Sequence, residues 1–254
     1  MENTENKLKQ IASLLKTVNS KTAEVDDAGR GKGWAECEEY FMGELYKTLT
    51  LDDVRTNYSY AFSRTNYDDM PWFEKPIKPP KYCEKMFYYY YGAGLPNVDL
   101  SSVGDTNENS QSLFGYSKLV TIRDVGLPAM SKYTNTFYKC HDLQTIEAMR
   151  VHTSTTYNNT FFECYELRDI AFKGTIGTSI DFSHSFYLTL KSIVNIIEHL
   201  SNTSKATLTL NTSAVNKIKT RFPYTSPETK KTYNSWDELK ASKSTWTITT
   251  SSVA

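Results

Sequence analysis

The residue types able to do chemistry in this chain are scattered rather than gathered. The four histidines are His141, His152, His184 and His199, and no pair has the i, i+4 spacing that sets two imidazoles on one helical face around a metal. The four cysteines, Cys37, Cys83, Cys140 and Cys164, include no Cys-x-x-Cys pair, so no zinc site is expected. Neither a phosphate-binding G-x-x-x-x-G-K-[ST] loop nor a G-x-S-x-G nucleophile elbow occurs. Gly92-Ala93-Gly94 lacks the third glycine of a dinucleotide fingerprint and reads as a turn with positive φ. Glu166 and Asp169 flank Leu167, with Arg168 between them, and are expected to face solvent. Carboxylate pairs for glycoside hydrolysis cannot be assigned from spacing. The expectation is therefore a chain with no catalytic residues, no metal ligands and no cofactor, and not an enzyme.

The tyrosines point to binding instead. There are 18, and Tyr88, Tyr89, Tyr90 and Tyr91 are consecutive. In a strand, alternate members point to opposite faces, so one pair fills a core and the other lies exposed. Exposed tyrosines offer flat, amphipathic area suited to sugars or proteins. Tyr88, Tyr89 and Tyr91 are the candidate ligand contacts; the alternative is that they cover neighbouring structure.

The elements that must position them follow a period. Phe137-x-x-Cys140-x-x-Leu143-x-x-Ile146 recurs as Phe161-x-x-Cys164-x-x-Leu167-x-x-Ile170, a step of 24 residues. The same slots upstream hold Leu113, Tyr116, Leu119 and Ile122, and before them Leu95 and Val98. A fixed period of this size signals stacked coils, each unable to bury its apolar face alone. These 14 residues are the expected repeat core. The Phe-to-Leu stretch suits a turn of helix, and the residues around Ile suit a short parallel strand. Cys140 and Cys164 share a slot, so they should stack as two reduced, buried thiols.

Before the stack, Leu8, Ile11, Leu15, Val18, Thr22 and Val25 follow heptad spacing. Segment 1–30 is read as an amphipathic, coiled-coil-like helix, with Leu8, Ile11, Leu15 and Val18 as oligomerisation residues; a helix packed on its own chain is the alternative. Segment 31–56 reads as a capping helix, 57–200 as the repeats, and 201–254 as an α/β cap. In that cap Ile193, Ile196, Ile197 and Leu200 lead in with a helical face, and Ser235-Trp236-Asp237-Glu238 matches a capping box.

Composition narrows the partners. Lys+Arg and Asp+Glu each total 29, so the chain lacks the basic footprint of a nucleic-acid binder. No apolar run is long enough to cross a membrane, and the polar N-terminus shows no signal-peptide core.

The coil pattern resembles the BspA-like leucine-rich repeats, whose unit runs aromatic-x-x-Cys-x-x-Leu-x-x-Ile. Arg55-Thr56-Asn57-Tyr58-Ser59-Tyr60-Ala61-Phe62, and the coil start Met86-Phe87, resemble the lead-in of such proteins encoded by bacteriophages and prophages of gut bacteria. That resemblance implies an α/β leucine-rich-repeat solenoid of short parallel strands, with N-terminal helices and a C-terminal cap. It implies a virion structural or receptor-binding component, such as a tail fibre, made in the bacterial cytoplasm. The partners would be other virion proteins, sister copies in a homo-oligomer, and a host surface glycan or protein. The alternatives are a bacterial cell-surface adhesin and, more remotely, a polysaccharide depolymerase.

Overall fold

The structure is a computed structural model that describes residues 63–64, 83–95, 98–103 and 111–253. The segments 1–30 and 31–56, with Leu8, Ile11, Leu15 and Val18, lie outside the described residues.

Three short strands run parallel in chain order: β1 (Thr121–Ile122), β2 (Thr145–Val151) and β3 (Asp169–Gly174). Ile122, Ile146 and Ile170 are register partners, so their side chains share one buried file. Leu119, Leu143 and Leu167, three residues earlier in each tier, are fully buried. The β-branched residues and the in/out alternation of Thr145-Ile146-Glu147 explain why these segments are extended.

The opposite side of each tier is not a turn of helix. It is a run of overlapping four-residue turns: the amides of Thr136, Tyr138 and Cys140 donate to the carbonyls of Tyr133, Asn135 and Phe137. Asn135 and Lys139 are left-handed, with φ of 53° and 57°, and Asn159 and Glu163 repeat this one tier on. An i, i+3 apolar spacing serves such turns as well as it serves a helix. The intervening amides are free to point to the next tier. Asn135, Phe137 and Lys139 donate to the carbonyls of Asn158, Thr160 and Phe162 at 2.9, 3.1 and 2.8 Å.

Inside this face a file of rings runs Phe87, Phe114, Phe137, Phe161, Phe182, with centroids 5.6, 5.6, 5.7 and 4.4 Å apart. The ring stacked on Phe137 is therefore Phe114, not Leu113, although Leu113 is also buried. Ser117, not Tyr116, packs against Cys140, with Oγ 3.5 Å from Sγ. Tyr116 is thus corrected from a core residue to a half-exposed one on the outer face. The other expected core residues, Leu95, Val98, Leu113, Leu119, Ile122, Phe137, Cys140, Leu143, Ile146, Phe161, Cys164, Leu167 and Ile170, are all buried.

The cysteines do more than fill space. Cys140 Sγ donates to Phe114 O at 2.9 Å, and Cys164 Sγ donates to Phe137 O at 3.0 Å. Each thiol satisfies a buried carbonyl of the preceding tier. Both are free, as is Cys83. Burial pushes the Cys83 and Cys140 thiols up to about 12.

The expected leucine-rich-repeat solenoid is overturned by where the sheet stops. A solenoid would carry one parallel sheet along the whole stack. Here the tier after β3 brings a helix, α1 (Leu190–His199), in place of a strand. Its side chains take up the free amides of β3: Ile170 N donates to Ser192 Oγ at 3.0 Å, and Phe172 N donates to Asn195 Oδ1 at 2.8 Å. With its edge capped, the sheet ends at three strands. The described residues are a mixed α/β arrangement of separate short sheets.

The second sheet is parallel too, in the order β4 (Ile180–Phe182), β5 (Thr207–Asn211), β8 (Thr247–Ser251). Between its strands lie α1, then α2 (Thr212–Ile218), the hairpin of β6 (Tyr224–Thr225) and β7 (Thr232–Tyr233), and α3 (Trp236–Ala241). Ser235 caps α3, its hydroxyl accepting from Glu238 N at 3.1 Å. Glu238 reaches back to Asn234 N at 2.8 Å, one residue short of a reciprocal capping box.

Candidate recognition surface

The left-handed turns determine which aromatic side chains reach the surface. In successive tiers a residue one or two places after the core phenylalanine stacks on its equivalents, and from His141 onward so does the residue after the cysteine slot. One outer file runs Tyr89, Tyr116, Tyr138, Phe162, His184, with ring centroids 4.5, 5.4, 5.2 and 4.5 Å apart. Beside it runs a second, His141, Tyr165, Phe186, at 5.2 and 5.6 Å. Tyr165 also lies 6.3 Å from His184, which joins the two files. All of these rings are half-buried except His141, which is exposed. Their faces stack in part on one another, and the Tyr116 phenol meets Tyr138 while the Tyr165 phenol meets Glu163.

The tyrosine run lies at the upstream end of this surface, in a form the alternation of a strand did not anticipate. Residues 84–89 are turns, and Tyr89 has a φ of 56°. Tyr88 packs edge-on to Tyr89 and Tyr116 at 4.7 and 5.3 Å. Tyr90 is the buried member, and its hydroxyl donates to Gly94 O at 2.8 Å. Tyr91 is 44% exposed, with the Lys118 ammonium 5.9 Å from its ring centre. Gly92 and Gly94 do not have positive φ, contrary to expectation. Gly92 is required for space, since a side chain there would come within 2.5 Å of the Tyr90 hydroxyl.

Cations edge the rings. The Lys139 ammonium lies 5.9 and 5.5 Å from the ring centres of Tyr116 and Tyr138. Arg64 sits 5.7 Å from Tyr89, and Lys85 6.0 Å from Tyr88. Such contacts hold long side chains against flat rings. Glu163 links the two files, 3.1 Å from His141 Nε2 and 3.6 Å from Lys139. Packing among the rings desolvates the Tyr116 and Tyr165 phenols and raises both. They therefore remain neutral hydroxyls, able to donate and accept, at physiological pH.

Away from this face the titratable groups are engaged in structure. Asp124 accepts a two-pronged bond from Arg150 at 2.7 and 2.8 Å and one from Lys173 at 2.9 Å, tying three tiers together. The Arg150 guanidinium, with lesser help from Lys173 and the Gly126 amide, holds the Asp124 carboxyl well below the usual range. Glu198 accepts from the hydroxyls of Ser226, Thr229 and Tyr233 at 2.7, 2.5 and 3.2 Å, which pins the β6–β7 hairpin to α1. Burial and the Glu198 charge push the Tyr233 phenol up to about 12. Glu166 pairs with Arg168 at 3.0 Å, while Asp169 turns inward to accept from Thr189 at 2.9 Å. Among the described residues no group of three metal-ligating side chains converges, and no helix is long and apolar enough to cross a membrane.

Tyr138, Phe162, Tyr165 and Phe186 were not singled out from the sequence, although the signal was there. Phe137-Tyr138 and Phe161-Phe162 are neighbours in the periodic pattern, as are Cys140-His141 and Cys164-Tyr165. Between these two tiers the outer residues repeat at 24 as the core does, although the outer file as a whole steps by 27, 22, 24 and 22. Compared with family models, curated proteins and solved structures, the chain matches none of them.

Proposed function

We propose that this chain is a non-enzymatic recognition protein, and that the paired aromatic files bind carbohydrate on a host-cell surface. The observation that carries the reading is the continuity of the files. Five rings and then three follow one another at 4.5 to 5.6 Å across successive tiers, with phenol and imidazole groups at their edges. These rings stand outside the core file of phenylalanines and keep part of their surface exposed, which leaves them placed to meet a ligand as well as one another. Ring edges with neutral hydroxyls suit sugars, which present C–H faces to rings and hydroxyls to donors and acceptors. The interrupted, rigid tiers keep that face pre-formed, which lowers the ordering cost of binding.

The setting we propose is a phage particle, with the chain displayed as a tail or other surface component. The support is the resemblance of Arg55 to Phe62 and of the Phe-x-x-Cys units to phage-encoded proteins. Antibody to the chain should then label purified particles and slow their adsorption.

The test of the binding reading is a panel of host wall and capsular polysaccharides probed with the chain and with the Tyr138→Ala, Tyr165→Ala double variant. The expected result is retention of the chain by at least one glycan, and a loss of about tenfold or more in the double variant, as for removal of two stacking platforms. Equal binding by both proteins, or retention by no glycan, would refute it.

A further inference from the structure

The second aromatic file does not stop in open solvent. Its last ring, Phe186, forms a wall of an open surface pocket of about 510 Å³. The other walls include Asn211, Ser213, Asn216, Lys217 and Ser252. The cavity lies at the carboxyl ends of β5 and β8, where α2 begins. That is where parallel α/β sheets commonly take ligands. Its volume is that of a small-ligand site. Most of the lining surface is apolar, Val253 included; its polar groups are the side chains of Thr212, Ser213, Asn216 and Ser252 and the Lys217 ammonium, with no carboxylate, while the Asn211 amide is engaged with Ser183, Ser213 and Ala214.

Two cations lie beside an exposed ring next to the pocket. Tyr187 is 43% exposed and follows Phe186 directly. The Lys217 ammonium lies 4.5 Å from its ring centre, and the Arg168 guanidinium 5.3 Å. Arg168 is already neutralised by Glu166 at 3.0 Å. Lys217 has no carboxylate partner among the described residues; the ring is its one polar or charged contact. An ammonium with no carboxylate partner among the described residues, at the mouth of a pocket whose mainly apolar wall carries a few hydroxyl and amide groups, suits a sugar with C–H faces and one negative charge.

We infer that this cavity is an acidic-sugar subsite, in which Lys217 meets the carboxylate of a uronic-acid-type residue while Phe186 and Tyr187 supply the ring contacts. The inference rests on the carbohydrate reading above and gives it a substrate class. The outer files then hold the neighbouring residues of the same polysaccharide, and the cavity selects for charge.

The experiment compares an oligogalacturonate with its methyl ester, identical in length and stereochemistry but uncharged, by calorimetric titration into the full chain. The acid should bind roughly fivefold more tightly than the ester, the ratio for one partly exposed ion pair. The preference should shrink as salt is raised. Lys217→Gln, a change at an exposed position, should bring the acid-to-ester affinity ratio close to one. Should acid and ester bind the chain equally, or the preference survive in Lys217→Gln, the subsite is overturned while the carbohydrate reading stands. Should neither bind, both are overturned for this sugar class, and the polysaccharide panel with the Tyr138→Ala, Tyr165→Ala variant decides the broader reading separately.

Discussion

Replacing Ser192 by alanine probes the feature that ends the first sheet. Ser192 Oγ accepts from Ile170 N at 3.0 Å, in a place where Ile170 and Ser192 are 3% and 2% exposed. Water cannot replace the hydroxyl there without opening the α1–β3 contact. Leaving that amide unpaired costs about 1–3 kcal/mol. Against this, alanine in a helix gains roughly 0.5 kcal/mol over serine. The net loss should be about 1–2 kcal/mol, seen as a lower urea midpoint with an unchanged slope. Asn195→Ala removes the acceptor of Phe172 N and should cost a similar amount, also breaking the 2.8 Å bond to Glu228. The two residues are neighbours on one helix face and cap amides of one strand, so the double variant should depart from additivity by about 0.5 kcal/mol or more. Hydrogen exchange gives the sharper reading, since the Ile170 and Phe172 amides should lose protection while that of Ile146, inside the sheet, keeps it. Lys191→Ala, exposed and adjacent, is the control. A Ser192→Ala chain as stable as the parent, with Ile170 still protected, would refute the idea that side chains of α1 terminate the sheet.

Other substitutions test the packing and the charges. Phe137→Ala removes a ring stacked on both sides, 3% exposed, and should cost about 3–5 kcal/mol in urea unfolding, whereas Tyr138→Ala beside it should cost far less. Gly174→Ala would place its new carbon 1.9 Å from Val151 O at a φ of 107°, and should destabilise by about 1–3 kcal/mol or more, read as a lower melting temperature. Asp124 has a depressed folded pKa, so its contribution is complete above the unfolded value near ~4 and is lost as pH falls toward the folded one. Asp124→Asn should therefore lose about 1 kcal/mol at neutral pH and show a flatter acid limb in pH-dependent unfolding. The Cys83 and Cys140 thiols have raised folded values, so stability should be full below roughly pH 8.5 and fall as pH rises toward about 12. Both thiols should be silent to Ellman's reagent until urea is added.

What the sequence made legible, and what it hid, divides along one physical line. A period records which residues share an environment, and so Leu119, Leu143 and Leu167, the three isoleucines and the two stacked cysteines were readable from spacing alone. It does not record backbone hand. Asn135, Lys139, Asn159 and Glu163 adopt left-handed conformations without glycine, so only the two asparagines, 24 residues apart and of a type that tolerates that region, marked the turns that replace a helix. Register drifts for the same reason. The strand step is 24 residues from Ile122 to Ile146, while the ring step from Phe114 to Phe137 is 23, and a single period fitted to both placed Leu113 and Tyr116 one position away from the true slots. That shift concealed the outer files, because a tyrosine assigned to the core is not sought on the surface.

The end of the sheet was hidden at a different level. Ile193, Ile196 and Ile197 declare a helix by their spacing, and α1 buries them. Only the polar pair between them, Ser192 and Asn195, says that the helix stands where the next strand would have been. Serine and asparagine three residues apart on a helix are ordinary in a sequence, and they become a sheet terminus only once their oxygens meet the amides of Ile170 and Phe172. The consequence reaches the recognition surface. By stopping the strands at β3 while Phe161 still stacks on Phe182, and Tyr165 on Phe186, the helix lets the aromatic face run one tier further than the sheet beneath it. That extra tier is the one that carries Tyr187 and opens onto the cavity beside Lys217. A chain with one more strand in place of α1 would extend the sheet and would lose the turn that brings the file of rings to the cavity mouth.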